Sequence, residues 1–155
     1  MINYELELQN TFIQIVGSLK KSMTHAMKDL DLDLCPSHFV VLRNIHTVEN
    51  CTPNALAIYF RKDKAQITRL LKQLVKQELV SKAPNPDDKR SQLLTLTKKG
   101  VECFKLLEAS DLKMLAGMKA GISDDELTQF LKIGAKMASN LDRDLLLSLG
   151  NSVEV

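Results

Sequence analysis

Tryptophan is absent from this 155-residue chain, and aromatic residues make up only 5% of it. A core with so few rings must be filled by Leu, Ile, Val and Met, which favours helices packed on helices. No apolar run approaches the roughly 20 residues that cross a bilayer. The first residues, MINYELELQN, lack the basic start and apolar stretch of a secretion signal. A cytoplasmic chain with no membrane partner is expected. The three cysteines, Cys35, Cys51 and Cys103, are scattered and odd in number, which argues against a secreted disulfide framework. There is no glycine-rich phosphate loop, no nucleophile elbow and no metal-protease helix. The carboxylates fall at caps and turns. No catalytic set, metal site or cofactor is therefore expected, and the chain does not read as an enzyme. Cys35 and His38 lie three apart and His46 eight further on, which is no established ligand spacing.

What is present is globular in character: 45% hydrophobic and 26% charged residues. The net charge of +2 conceals its distribution. Between Arg61 and Lys99 stand eleven Lys and Arg against four Asp and Glu, a balance of +7, which leaves −5 for the rest. An acidic body carries one basic module, and such a module suits a polyanion.

Apolar positions at Leu6, Phe12, Ile13, Val16, Leu19, Met23, Met27 and Leu30 predict a long first helix. Asp29 to Asp33 form its exit turn. Pro36 suits the first position of a second helix through Thr47, with Phe39, Leu42 and Ile45 inward. Thr52-Pro53 caps a short helix through Phe60. Asp63, with Gln66 three residues on, caps a helix over 64–77 in the manner of a capping box. At helical pitch, Ile67, Leu70, Leu71, Leu74 and Val75 share one arc, and Lys64, Thr68, Arg69, Lys72 and Lys76 hold much of the opposite one. Strands over 79–83 and 93–97 flank the charged turn PNPDDKRS and make a hairpin. Thr97 caps a helix over 98–119 that ends at Gly121. Ser123 to Glu126 is a capping box for a last helix to about Ser148, and GNSVEV is a frayed tail.

Two short helices followed by a hairpin define a winged helix-turn-helix, whose second helix enters the major groove of double-stranded DNA. Gln66, Thr68 and Arg69 lie early in that helix, where side-chain forks read base edges. Lys64, Lys72 and Lys76 suit phosphates. Lys89 and Arg90 sit at the wing tip, where an arginine enters a narrow minor groove. Asp88 is placed to pair with a wing arginine and stiffen the loop.

The wing NPDDKRSQLLTLTKKG at 85–100 resembles the signature of the MarR family of bacterial regulators. Its marks are Asp88, Arg90, Ser91, Leu93, Leu96, Thr97 and Gly100. ITRLLKQLVKQELV at 67–80 is similar to the family's recognition helix, with the pair Thr68-Arg69. CPSHFVVL at 35–42 is similar to the helix before the motif. Glu78 stands where the family has glycine, and a positive φ there would strain it. Cys35 stands where Ser or Thr often caps.

The resemblance implies a mainly α fold in three parts. Residues 1–34 form an N-terminal dimerisation helix, 35–100 the winged DNA-binding region, and 101–155 the C-terminal dimerisation helices, all within one intertwined domain. It implies a homodimer on a pseudo-palindromic operator, a sequence-specific regulator and repressor released by a small ligand or an oxidant. The effector would be small and aromatic or anionic, seated between the basic module and the long helices. Cys35, at a helix N-terminus, is the candidate redox residue. Met23, Met27, Met114, Met118 and Met137 fall on helical faces and serve packing, as do Tyr59 and Phe60. The alternative function is a helical protein-interaction module that uses the winged fold without operator binding.

Overall fold

The computed structural model describes residues 3–150, with side chains described through Asp142. The expected frayed tail falls, beyond Gly150, outside the described residues. The elements run α1 Tyr4–Asp29, α2 Pro36–Thr47, α3 Pro53–Phe60, α4 Lys64–Lys76, β1 Val80–Pro84, β2 Gln92–Leu96, α5 Lys98–Met118 and α6 Asp124–Gly150. The chain divides into two compact units, Met1–Met114 and Leu115–Val155. Among the described residues no helix is long and apolar enough to cross a membrane.

The core of the first unit joins α2, α3 and α4 to the end of α1, the start of α5 and the hairpin. Met27, Leu42, Leu56, Leu71, Leu74, Leu79, Phe104 and Leu107 are its best-covered members. Rings are as scarce inside as the composition requires: Phe39 stacks on Phe104 at 5.9 Å between centroids. Only the last third of α1 enters this core, through Met23 and Met27. Its earlier apolar residues Leu6, Ile13 and Val16 are exposed, although their spacing is as regular.

Three sequence expectations shift. Val75, placed on the buried arc of α4, is 38% exposed, because the line of contact runs through Ile67, Leu71 and Leu74. Cys103, which sequence spacing puts one residue off the apolar face of α5, is buried. Tyr59 is exposed and packs edge-on against Phe60 at 4.9 Å between centroids. The strand bounds also differ from the expected 79–83 and 93–97 by one residue each, and β1 starts after Leu79, which is spent on ending α4.

Helices α1, α3 and α4 end in one way. After α4, Glu78 N–H donates to Val75 O (2.9 Å) and Leu79 N–H to Leu74 O (2.9 Å). The residue between helix and exit is left-handed in all three: Asp31 (φ 53°), Arg61 (φ 50°) and Glu78 (φ 59°). This is the Schellman arrangement, which usually takes glycine. Here charged residues occupy it, which fits a chain holding 6 glycines in all.

At Glu78 the cost is offset by what the turn makes possible. Thr97 Oγ1 donates to Glu78 O (2.6 Å) and accepts Gly100 N–H (2.9 Å), so one hydroxyl holds the turn and caps α5. Thr97 N–H donates to Leu79 O (3.1 Å). Lys99 Nζ donates to Gln77 O (2.8 Å). Gly100 lies so close to the Leu79 carbonyl that an added Cβ would collide with it. The Leu-Thr-x-x-Gly pattern is thus a packing requirement. Chemical denaturation will show Gly100→Ala destabilised by roughly 1–3 kcal/mol, and Glu78→Gly stabilised by up to about 1 kcal/mol through relief of its left-handed strain. An unchanged midpoint in Gly100→Ala would refute the close approach.

Candidate nucleic-acid interface

Helix α4 is fixed at its start by Asp63, whose Oδ1 accepts Gln66 N–H (2.7 Å). That is one half of the expected capping box; the Gln66 side chain instead lines a cleft described below. From this cap the helix presents Lys64, Gln66, Thr68, Arg69, Lys72 and Lys76, all exposed. Thr68 Oγ1 donates to Lys64 O (2.7 Å), which commits its proton and leaves its oxygen able to accept. The apolar side of the helix is seated by Ile67, Leu71 and Leu74. A row of cations on a firmly seated helix, with no acid between Lys64 and Gln77, is suited to a phosphate backbone.

The wing is an antiparallel hairpin with Val80 opposite Leu96 and Pro84 opposite Gln92. Ser81 and Thr95 hydroxyls meet across it at 2.8 Å. It is anchored by Leu94 N–H, which donates to Cys51 O (2.8 Å). Its loop is closed by Asn85 Nδ2 donating to Ser91 Oγ (2.8 Å) and by Ser91 N–H donating to Asp88 O (3.0 Å). Asp88 Oδ1 accepts the backbone N–H of Arg90 (2.9 Å). The carboxylate therefore organises the tip through the main chain, with Lys89 and Arg90 exposed on it.

A cleft of about 430 Å³ lies beside α4, lined by Ser37, His38, Lys62, Gln66, Arg69, Leu70 and Gln73. Its lining holds two cations and no carboxylate. Sequence reading did not bring Ser37, Lys62 and Gln73 to the site. Lys62 stood in the basic segment, but nothing in the spacing revealed that the first turn of α2 meets α4.

Cys35 is the N-cap of α2 and is exposed; Cys51 and Cys103 are buried, and all three are free. Burial pushes the Cys51 and Cys103 thiols up. His38 Nδ1 accepts Cys35 N–H (2.9 Å) and lies 3.2 Å from its Sγ. The neutral ring therefore carries its proton on Nε2, which is buried without a hydrogen-bond partner. Among the described residues no group of three His, Cys, Asp or Glu could hold a metal ion.

A long amphipathic lead helix, a basic α4 and an anchored wing define a winged helix-turn-helix protein. The model of the MarR family matches residues 34–92. A mutant MarR from E. coli, solved with operator DNA, is 24% identical, with 87% of this chain and 96% of that chain covered at a TM-score of 0.75. The S. aureus MepR–DNA complex is 19% identical, with 85% and 96% covered at 0.77. A Staphylococcus aureus MarR solved with salicylate and kanamycin is 22% identical, with 90% and 93% covered at 0.75. These structures share the fold, and the family model places residues 34–92 as similar to the MarR family.

His38 gives the fold a pH-dependent stability. Burial holds its pKa below the usual 6.5, with the Asp33 charge pulling the other way. A lowered folded pKa means that the unfolded chain takes the proton first, so this contribution to stability is complete above about pH 6.5 and is lost as pH falls towards the folded value. Urea midpoints will fall between about pH 7.5 and 5.5, and His38→Gln will flatten that fall. An equal fall in the variant would assign the effect elsewhere.

Proposed function

We propose that the chain is a sequence-specific DNA-binding transcriptional regulator that acts as a homodimer. The observation that carries this reading is the exposed, acid-free row Lys64, Gln66, Thr68, Arg69, Lys72 and Lys76 on a helix seated by its apolar side. Gln66, Thr68 and Arg69 face bases. Lys64, Lys72 and Lys76 face phosphates, and Lys89 with Arg90 reaches the minor groove. The two DNA-bound structures of the same fold support the partner.

Dimerisation is supported by apolar residues that the first unit leaves uncovered on α1, Leu6, Ile13 and Val16, and by Phe130, Leu131 and Leu141 exposed on α6. A twofold pair sets two recognition helices into successive major grooves of a pseudo-palindrome. The finer reading is a repressor released by a small anion. The cleft beside α4, lined by Lys62, Arg69 and Leu70 among others, has the positive charge and an apolar side chain to suit an aromatic carboxylate, and a structure of the same fold was solved with salicylate. Exposed Cys35 is the residue through which an oxidant would act.

Mutation separates this from a protein-interaction module. Arg69→Ala will cost about 1–3 kcal/mol on a selected duplex and relax preference at the contacted base. Lys72→Ala will weaken all duplexes alike and reduce the slope of log K against log salt by about 1. Fluorescence anisotropy over a salt series reads both. Binding untouched by either substitution would leave the protein-interaction reading in place.

A further inference from the structure

We infer that Asp33 is the positioning residue of the recognition helix, a role that rests on the DNA-binding reading above. Gln77 Nε2 donates to Asp33 O (2.8 Å), and Gln73 Nε2 donates to the same carbonyl (3.1 Å) and to Asp33 Oδ2 (3.0 Å). Two amides one helical turn apart thus converge on one residue 40 and 44 positions earlier in the chain.

Asp33 is itself held. Leu32 N–H donates to Met27 O (2.9 Å), and Asp31 N–H to Lys28 O (2.9 Å), which locks the exit of α1. Leu30, Leu32 and Leu34 pack against the core on either side. Two residues on, the Cys35 N–H is tied to His38 in α2. The segment 30–35 is therefore a strut between α1, α2 and α4.

Apolar seating through Ile67, Leu71 and Leu74 is non-directional and permits α4 to roll. Hydrogen bonds are directional. Paired bonds from successive turns fix both the roll and the axial position of the helix, and hence where Arg69 and Lys72 point. The orientation of the basic row is thereby tied to the end of α1, whose earlier turns carry the uncovered apolar residues.

The test uses the full chain with a duplex selected from a random pool and a scrambled duplex, over a salt series. In Gln73→Leu/Gln77→Leu, operator affinity will fall by about tenfold or more while scrambled-duplex affinity stays within about twofold. The salt slope and the dimer mass will not change, because no phosphate contact or dimer contact is removed. Asp33→Asn keeps the carbonyl and a side-chain oxygen acceptor, and will stay within about threefold of wild type. Should the double variant fail to fold, Gln77→Leu alone carries the test, with a loss of about threefold confined to the operator. A merely structural role would lower the melting temperature and leave the operator-to-scrambled ratio intact. A ratio within about twofold of wild type overturns the positioning role. A wild-type chain with no sequence preference would instead overturn the DNA-binding reading, and the positioning role with it.

Discussion

The carbonyls of Glu78 and Leu79 tie together the three parts of the molecule that must agree in position. Glu78 O accepts the Thr97 hydroxyl, and Leu79 O accepts the Thr97 N–H against the bare Cα of Gly100. The end of α4, the base of the wing and the first turn of α5 are therefore one junction. A left-handed glutamate is tolerated because its neighbours' hydrogen bonds over-determine the turn. Without this junction α4 and the hairpin would be independent elements, and the cations they carry would have no fixed relation.

From the junction the interface follows in order. Helix α4 is closed at its far end by Asp63 and is seated by three apolar residues. Its remaining surface, free of acids, faces outward. The wing is registered by its ladder, anchored through Cys51 and closed by Asn85, Asp88 and Ser91. The glutamines on the flank of α4 meet Asp33, so the same helix is referenced to α1 and α2 as well. Electrostatics supplies attraction for a polyanion, and these polar ties supply geometry. Attraction without geometry gives non-specific binding.

Most of the fold was legible in the sequence, because its signals are local. Apolar periodicity, Pro36 and Pro53 at first helical positions, Asp63 and Ser123 as caps and a charged turn between apolar strands each act within a few residues. The Ser123–Glu126 box forms as read, with Ser123 N–H donating to Glu126 Oε2 (2.8 Å), a bond that with the Ser123 hydroxyl draws the Glu126 carboxyl below its usual range. What was hidden is what depends on distant packing. The exposure of Val75, the burial of Cys103 and the pairing of Gln73 and Gln77 with Asp33 follow from how elements meet, and periodicity is silent on that. The cleft was hidden for the same reason, since Ser37 and Lys62 are brought beside Arg69 only by the turn between α3 and α4 and by the approach of α2. Gly100 was legible as part of a signature, but its reason, the Leu79 carbonyl, was not.

The central claim is that exposed side chains of α4 and the wing read a duplex from two symmetry-related positions. Repeated selection from a random duplex library by the purified chain tests this most directly, because it presumes no operator. The selected pool will converge on an inverted repeat whose half-sites lie about 10 base pairs apart, bound by two chains and increasingly weakly as salt rises. A pool that stays unselected through successive rounds, under salt conditions where the protein still binds DNA, would contradict it.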